Sequence, residues 1–213
     1  MVIQHNIAAN NAYRNLSANA SNGQKNLEKL SSGYRINRSA DDAAGLAISE
    51  QMRSKINGLD QATSNANDAI GLIQTAEGAL TETHSMLQRM VTLATQSANG
   101  TYNSTARSAI GAEVTALKEE LNRIASTTDY NGVKPLSQTN TITVQIGPTA
   151  GEKLEVATAA MSTTALGIDA ISVSSTTKAN AAITKINTAI NTVSTHRAKL
   201  GASQNRLEHT INN

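Results

Sequence analysis

The stretch SSGYRINRSADDAAGLAISE, Ser31 to Glu50, holds the densest set of residues able to do chemistry, with Arg35, Arg38, Asp41 and Asp42 between Gly33 and Gly45. Two chemistries fit such residue types. Glycines with arginines can cradle a phosphate, and neighbouring carboxylates can divide acid and base duties. The spacing argues against both. A phosphate loop follows a strand and ends in Gly-Lys and then Ser or Thr; neither feature is present here. Adjacent residues on a helix point about 100 degrees apart, so Asp41 and Asp42 make a poor acid and base pair. The histidines, His5, His84, His196 and His209, show no ligand spacing with carboxylates, and the chain has no Cys. No metal, cofactor or catalytic residue is therefore expected.

Read structurally, the same stretch is a corner between two helices. Gly33 stands where a helix end needs a left-handed residue. Ser39, three residues before Asp42, has the capping-box spacing that starts the next helix, with Asp41 and Asp42 in its first turn, favourable to the helix dipole.

The elements on either side are long helices. Leu59, Ala66, Ile73, Leu80, Leu87 and Ala94 recur every seven residues, and Ile56, Ile70 and Val91 are read as the companion line of the same seam. His84 is expected as a partly buried packing residue on that helix. Such a repeat keeps one stripe facing one partner. After the turn signal SANGTYNST comes a second seam, Ile110, Val114, Leu117, Leu121 and Ile124. A third runs near the end, through Ile183, Ile186, Ile190, Val193, Leu200, Leu207 and Ile211, with Arg197 and Gln204 interspersed. The N-terminal seam, Tyr13, Leu16, Ala20, Gly23, Leu27, Leu30 and Tyr34, is weaker because small residues fill much of it. TITVQI and KLEVAT alternate about GPTAGE, a β-hairpin signal, and both prolines, Pro135 and Pro148, avoid the seams. The expected fold is mainly α: an elongated, coiled-coil-like bundle of long antiparallel helices with a small β-hairpin region.

With no Phe or Trp and only four Tyr, such a core must be built from Ile, Leu, Val and Ala. A net charge of +2 without a basic stripe argues against a nucleic-acid surface. No stretch is apolar enough for membrane insertion. MVIQHNIAANNAYRNL is broken by polar residues before any signal-peptide core, so export by a route other than a cleaved signal is expected.

The runs LSSGYRINRSADDAAGLAISEQMRSKINGLDQA, LQRMVTLATQSANGT, YNGVKPL and HRAKLGASQNRLEHTI, in this order along nearly the whole chain, resemble bacterial flagellin. The resemblance implies a structural subunit of the flagellar filament, used for motility, secreted by the flagellar type III export apparatus and polymerised with other flagellin subunits outside the cell. It implies no reaction. The segment between the halves is too short to bury a catalytic domain. The division it implies is residues 1–40 for an inner-core helix and spoke loop, 41–136 for the first part of the helical bundle domain, 137–175 for the hairpin and a short variable region, and 176–213 for the bundle's last helix. Arg35, Arg38, Asp41 and Asp42 would make spoke and subunit contacts, the arginines bridging to neighbours or to the chain's own aspartates. The family continues past QNRLEHTINN into a helix that pairs with the N-terminal one. A chain ending at Asn213 is thus expected to have residues 1 to about 34 mobile when free and not to polymerise alone.

The resemblance also implies recognition by Toll-like receptor 5, through Gln88, Arg89 and Leu93 on the long helix with Ile110 and Glu113 on the next. Strong binders in the family often carry Arg followed by Glu where this chain has Val91 and Thr92, so fewer polar contacts are expected. A flagellin-like binding module, either a hook-filament junction protein or an adhesin, is the alternative; junction proteins typically lack the DDAAGLAI run and the LQR-to-SANGT patch together.

Overall fold

The computed structural model describes residues 6–213; His5 lies outside them. Among the described residues the element order is α1 (Ile7–Ser32), α2 (Ala43–Ala98), α3 (Ser104–Thr127), β1 (Asn140–Gln145), β2 (Lys153–Thr158) and α4 (Thr176–Asn212). The chain falls into two compact units, Met1–Asn57 and Gly58–Asn213, with the boundary inside α2.

In the first unit, α1 starts at Asn6, whose side chain accepts the Ala9 N–H at 3.1 Å. It ends at Gly33, whose φ of +73° is the left-handed value the sequence anticipates and whose N–H reaches Lys29 O. No residue of α1 is buried. The expected capping box is not formed. The second helix begins only at Ala43, and it is the Asp42 carboxylate that accepts the Gly45 N–H, at 2.9 Å. Asp42 is thus the cap itself, and neither Asp41 nor Asp42 lies in the first turn. An aspartate next to the first free N–H groups satisfies them more directly than Ser39 can from further back. Gly45 leaves room for the cap: a Cβ there would stand 2.5 Å from Asp42 Oδ2 and 2.9 Å from Ile36 Cδ1 and would push these side chains aside.

The second unit is built on the heptad seam. Ala66, Ile73, Leu80, Leu87 and Ala94 are all buried, as their spacing predicts, but Leu59 is 51% exposed. The companion line differs from the expected one. It runs through Ala62, Ala69, Ala76, Thr83, Met90 and Ser97, all buried, at the same seven-residue interval, while Ile70 and Val91 are only half-buried at its flank and Ile56 is exposed. Alanines on that line let neighbouring backbones approach closely, so large side chains fall to the edges. The last helix repeats this device: Ile186, Val193, Leu200 and Leu207 form one buried line, and Ala182, Ala189 and His196 the other, with Ile183, Ile190 and Ile211 half-buried beside them. On α3, Ile110, Val114, Leu121 and Ala125 are buried, with Leu117 and Ile124 half-buried.

Cross-links fix the directions. Ser97 Oγ donates to Val173 O just before α4, while Glu77 pairs with Arg197 at 3.5 Å, so α4 runs antiparallel to α2. Asn103 caps α3 by accepting the Ala106 N–H at 2.8 Å, and the preceding turn reverses the chain. The two strands pair antiparallel with Ile142 opposite Val156 and Val144 opposite Leu154. Leu154, Val156 and Thr158 face inward. Asn65 Nδ2 donates to Gln145 O and holds the hairpin on α2. Residues 159–175 form no strand; they supply Met161, Leu166, Ile168, Ile171 and Val173 to the core and are tied to α3 through Asn122 and Thr163.

His84 is half-buried and its Nε2 shares a hydrogen bond with Gln88, in keeping with a packing role. The deeper histidine is His196, 6% exposed, where burial, aided by the Lys199 ammonium, pushes the imidazole below its usual range. A neutral ring can be buried without a counter-charge.

Candidate assembly and recognition surfaces

The corner at residues 33–45 is a network of ion pairs with its carboxylates turned to the backbone. Arg38 grips Glu28 with two bonds, Nε to Oε1 and Nη2 to Oε2, each 2.9 Å. That grip raises the guanidinium's already high proton affinity. The expected bridge from the arginines to the chain's own aspartates is therefore replaced, for Arg38, by one to a glutamate on α1. A fork of donors matches a carboxylate held at the right distance, and Asp41 is already engaged. Its Oδ2 accepts the N–H groups of Asn37 and Arg38, both at 3.4 Å, and its Oδ1 lies 3.6 Å from Lys29 Nζ. The Asn37 N–H does most to hold the Asp41 carboxyl below its ordinary range; partial burial opposes this, and the Arg38 N–H and Lys29 add to it. Arg35 makes no ion pair among the described residues. Arg38 and Asp41 are thus used to hold the chain reversal at the end of α1, and Asp42 to start α2. None of the four converges on a common point where a substrate could sit.

Glu28 and Lys29, which complete this network, were not among the residues the sequence singled out. Their signal was a pair of charged residues close to the end of α1, within reach of the corner.

Large exposed apolar side chains gather in the same unit: Ile7, Tyr13, Leu16, Leu27, Leu30, Tyr34, Ile48, Met52 and Ile56. Leu59 and Val133 are the others among the described residues. On α1 they repeat at seam spacing, so an apolar stripe there faces solvent along its length. The stripe on α2 is likewise open before Ala62 and covered from Ala62 onward.

In the second unit, Gln88, Arg89 and Glu113 stand at the surface. Arg89 bridges α2 to α3 through Glu113 Oε1, with Nε at 2.8 Å and Nη2 at 2.7 Å. Two residues expected beside them do not belong to this surface: Leu93 is 2% exposed and Ile110 8%, both in the core cluster. Leu93 follows Met90 and precedes Ala94 on the buried side of α2, where an apolar chain gains more from the core than from solvent.

The profile for the bacterial flagellin N-terminal helical region matches residues 3–141, and that for the bacterial flagellin C-terminal helical region matches residues 183–213. The chain belongs to the bacterial flagellins. This flagellin is 50% identical over 216 residues to a flagellin of Halalkalibacterium halodurans, an alignment covering 100% of this chain and 79% of the relative. It is 42% identical over 228 residues to the flagellar filament 33 kDa core protein of Treponema phagedenis, covering 99% of this chain and 80% of the relative. Its fold is similar to the crystal structure of Bacillus cereus flagellin, with a TM-score of 0.64, 33% identity, and coverage of 70% of this chain and 88% of that one. As a flagellin it is a structural subunit of the extracellular flagellar filament and not an enzyme. Among the described residues no helix is long and apolar enough to cross a membrane.

Proposed function

We propose that the open apolar stripes of α1 and of α2 before Ala62 are the faces through which this flagellin packs against other copies in the filament, and that the corner around Arg35, Arg38, Asp41 and Asp42 is the spoke that sets their direction. The observation carrying this reading is the concentration of exposed Leu, Ile, Met and Tyr in the first unit, against a second unit whose large apolar side chains are nearly all covered. Residues 1–40 then form the inner-core helix and spoke, 41–136 and 176–213 the bundle, and 137–175 the hairpin and short variable region. Export through the flagellar type III apparatus completes this reading. In cells whose only flagellin carries Arg35→Ala and Arg38→Ala together, filaments are expected to be lost under electron microscopy; normal filaments would dismiss the spoke contacts.

A second reading, recognition by Toll-like receptor 5, is supported by the exposed group Gln88, Arg89 and Glu113. The Arg89–Glu113 bridge presents a planar guanidinium already oriented on the surface, so little side-chain entropy is lost when a partner engages it. Leu93 and Ile110 contribute by holding α2 and α3 beneath that pair, not by touching a receptor. Arg89→Ala is expected to weaken receptor binding by about 1–3 kcal/mol. An isotherm indistinguishable from that of the unsubstituted protein would remove Arg89 from the surface.

A further inference from the structure

Four Asn-Gly pairs occur in the chain: Asn22-Gly23, Asn57-Gly58, Asn99-Gly100 and Asn131-Gly132. In such a pair the glycine nitrogen can attack the asparagine side-chain amide, because no Cβ shields it. The surroundings of the four differ. Asn22 and Asn57 lie inside α1 and α2, where the following N–H is committed to a carbonyl one turn back. Asn131 has φ +51° and Gly132 φ +82° at the tip of a two-residue turn closed by Tyr130 and Val133. There the Gly132 N–H donates to Asp129 Oδ1 at 3.0 Å. A fixed carboxylate beside that nitrogen opposes the negative charge that develops when it loses its proton.

Asn99-Gly100 has the opposite electrostatics. Both residues are exposed and follow the last residue of α2, and the Gly100 N–H has no acceptor among the described residues. The carbonyl of the same peptide unit, Asn99 O, accepts from Arg107 Nη2 at 3.0 Å and from the Tyr102 N–H at 3.4 Å. The guanidinium is itself held by a second bond, from Nε to Ser97 O at 3.0 Å. When the Gly100 nitrogen loses its proton, the charge is shared with Asn99 O, directly against this cation, which stabilises it as an oxyanion site would. At the same time Asn99 Oδ1 accepts the Thr101 N–H at 3.2 Å, which polarises the side-chain carbonyl under attack.

We propose that Asn99 is a self-modification site, converting through a cyclic imide to aspartate and isoaspartate ahead of the other three Asn-Gly pairs. The Gly100 nitrogen forms a bond to Asn99 Cγ, and the Cγ–Nδ2 bond breaks. Ammonia leaves, carrying the proton surrendered by Gly100. Water then opens the imide at either carbonyl, and no oxidant or reductant is involved. The isoaspartate product lengthens the main chain by one methylene in the α2–α3 turn and sets a new carboxylate beside Arg107.

The test is incubation of the purified full chain in mildly alkaline buffer, with mass mapping of peptides and enzymatic methylation of isoaspartate as readouts. The Asn99 peptide is expected to convert first, and Arg107→Leu to slow it roughly tenfold, the size of one charge-assisted hydrogen bond. A second variant acts elsewhere and leaves this turn intact: Asp129→Asn keeps an acceptor but removes the charge, and is expected to speed conversion at Asn131. Conversion at Asn131 ahead of Asn99 would overturn the proposal. So would an Asn99 rate unchanged or raised by Arg107→Leu, or an Asn131 rate indifferent to Asp129→Asn.

Discussion

Leu16→Lys combined with Leu27→Lys abolishes filament formation at ordinary subunit concentrations while leaving the second unit as stable as before. Both leucines lie on α1 at 67% and 66% exposure, outside the buried core of the subunit. Their exposure makes the substitutions harmless to the isolated chain and costly to the polymer. Burying one leucine contributes roughly 1.5–3 kcal/mol, and a charge forced into the same contact adds a desolvation cost. Two lost leucine burials alone raise the concentration needed for assembly by roughly a hundred- to ten-thousand-fold, since each 1.4 kcal/mol is about a factor of ten. Sedimentation of polymer against soluble subunit measures this directly, and the thermal melt of the soluble fraction checks that the second unit is intact. Assembly at an unchanged concentration would mean that the α1 stripe is not a subunit contact.

Leu87→Ala acts in the reverse sense, on the subunit and not on its contacts. Leu87 is fully buried at the middle of the covered seam, in the same cluster as Leu80, Met90, Val193 and Leu200. Truncating it removes the transfer energy of its side chain and leaves a cavity that long, stiff helices close poorly. The expected loss is about 2–5 kcal/mol, which for a unit of this size lowers Tm by on the order of 10 °C. The contrasting control is Leu59→Ala, on the same heptad line but half exposed, where the melt should hardly move. Equal effects at the two positions would show that the seam is not differentially covered.

How far the sequence carried can be seen in those two leucines. Leu59 and Leu87 are equivalent by spacing, and nothing in the local pattern distinguishes a stripe covered by its own chain from one left for a neighbour. The period reported the helix and the face; the partner is a tertiary fact. The companion line was missed for a related reason. Ala62, Ala69, Ala76, Thr83 and Ser97 are small, and small residues carry a weak apolar signal even where close helix packing demands them, so the larger Ile56, Ile70 and Val91 drew attention. The hairpin was plain in TITVQI and KLEVAT because alternation and a Gly-Pro turn agree. Gly33 was legible because a single residue type suits its left-handed backbone. Asp42 was misplaced by one turn, since Ser39 and Asp42 both suit a cap and only the observed hydrogen bonds choose between them. Arg89 and Glu113 are exposed as the resemblance implied, whereas Leu93 and Ile110 were assigned to the surface by resemblance although Leu93 is one step from the seam residue Ala94 and Ile110 is itself a seam residue.

The central claim is that this flagellin leaves the stripe from Ile7 to Leu59 open in the free subunit and covers it on assembly. Hydrogen exchange of the backbone amides, compared between free subunit and assembled filament, tests it most directly. The expected result is fast exchange through α1 and the start of α2 in the free subunit, slow exchange around Ile73, Leu87 and Val193 in both states, and strong protection of α1 appearing on assembly. Protection of α1 that is already complete in the free subunit, or that does not rise in the filament, would contradict it.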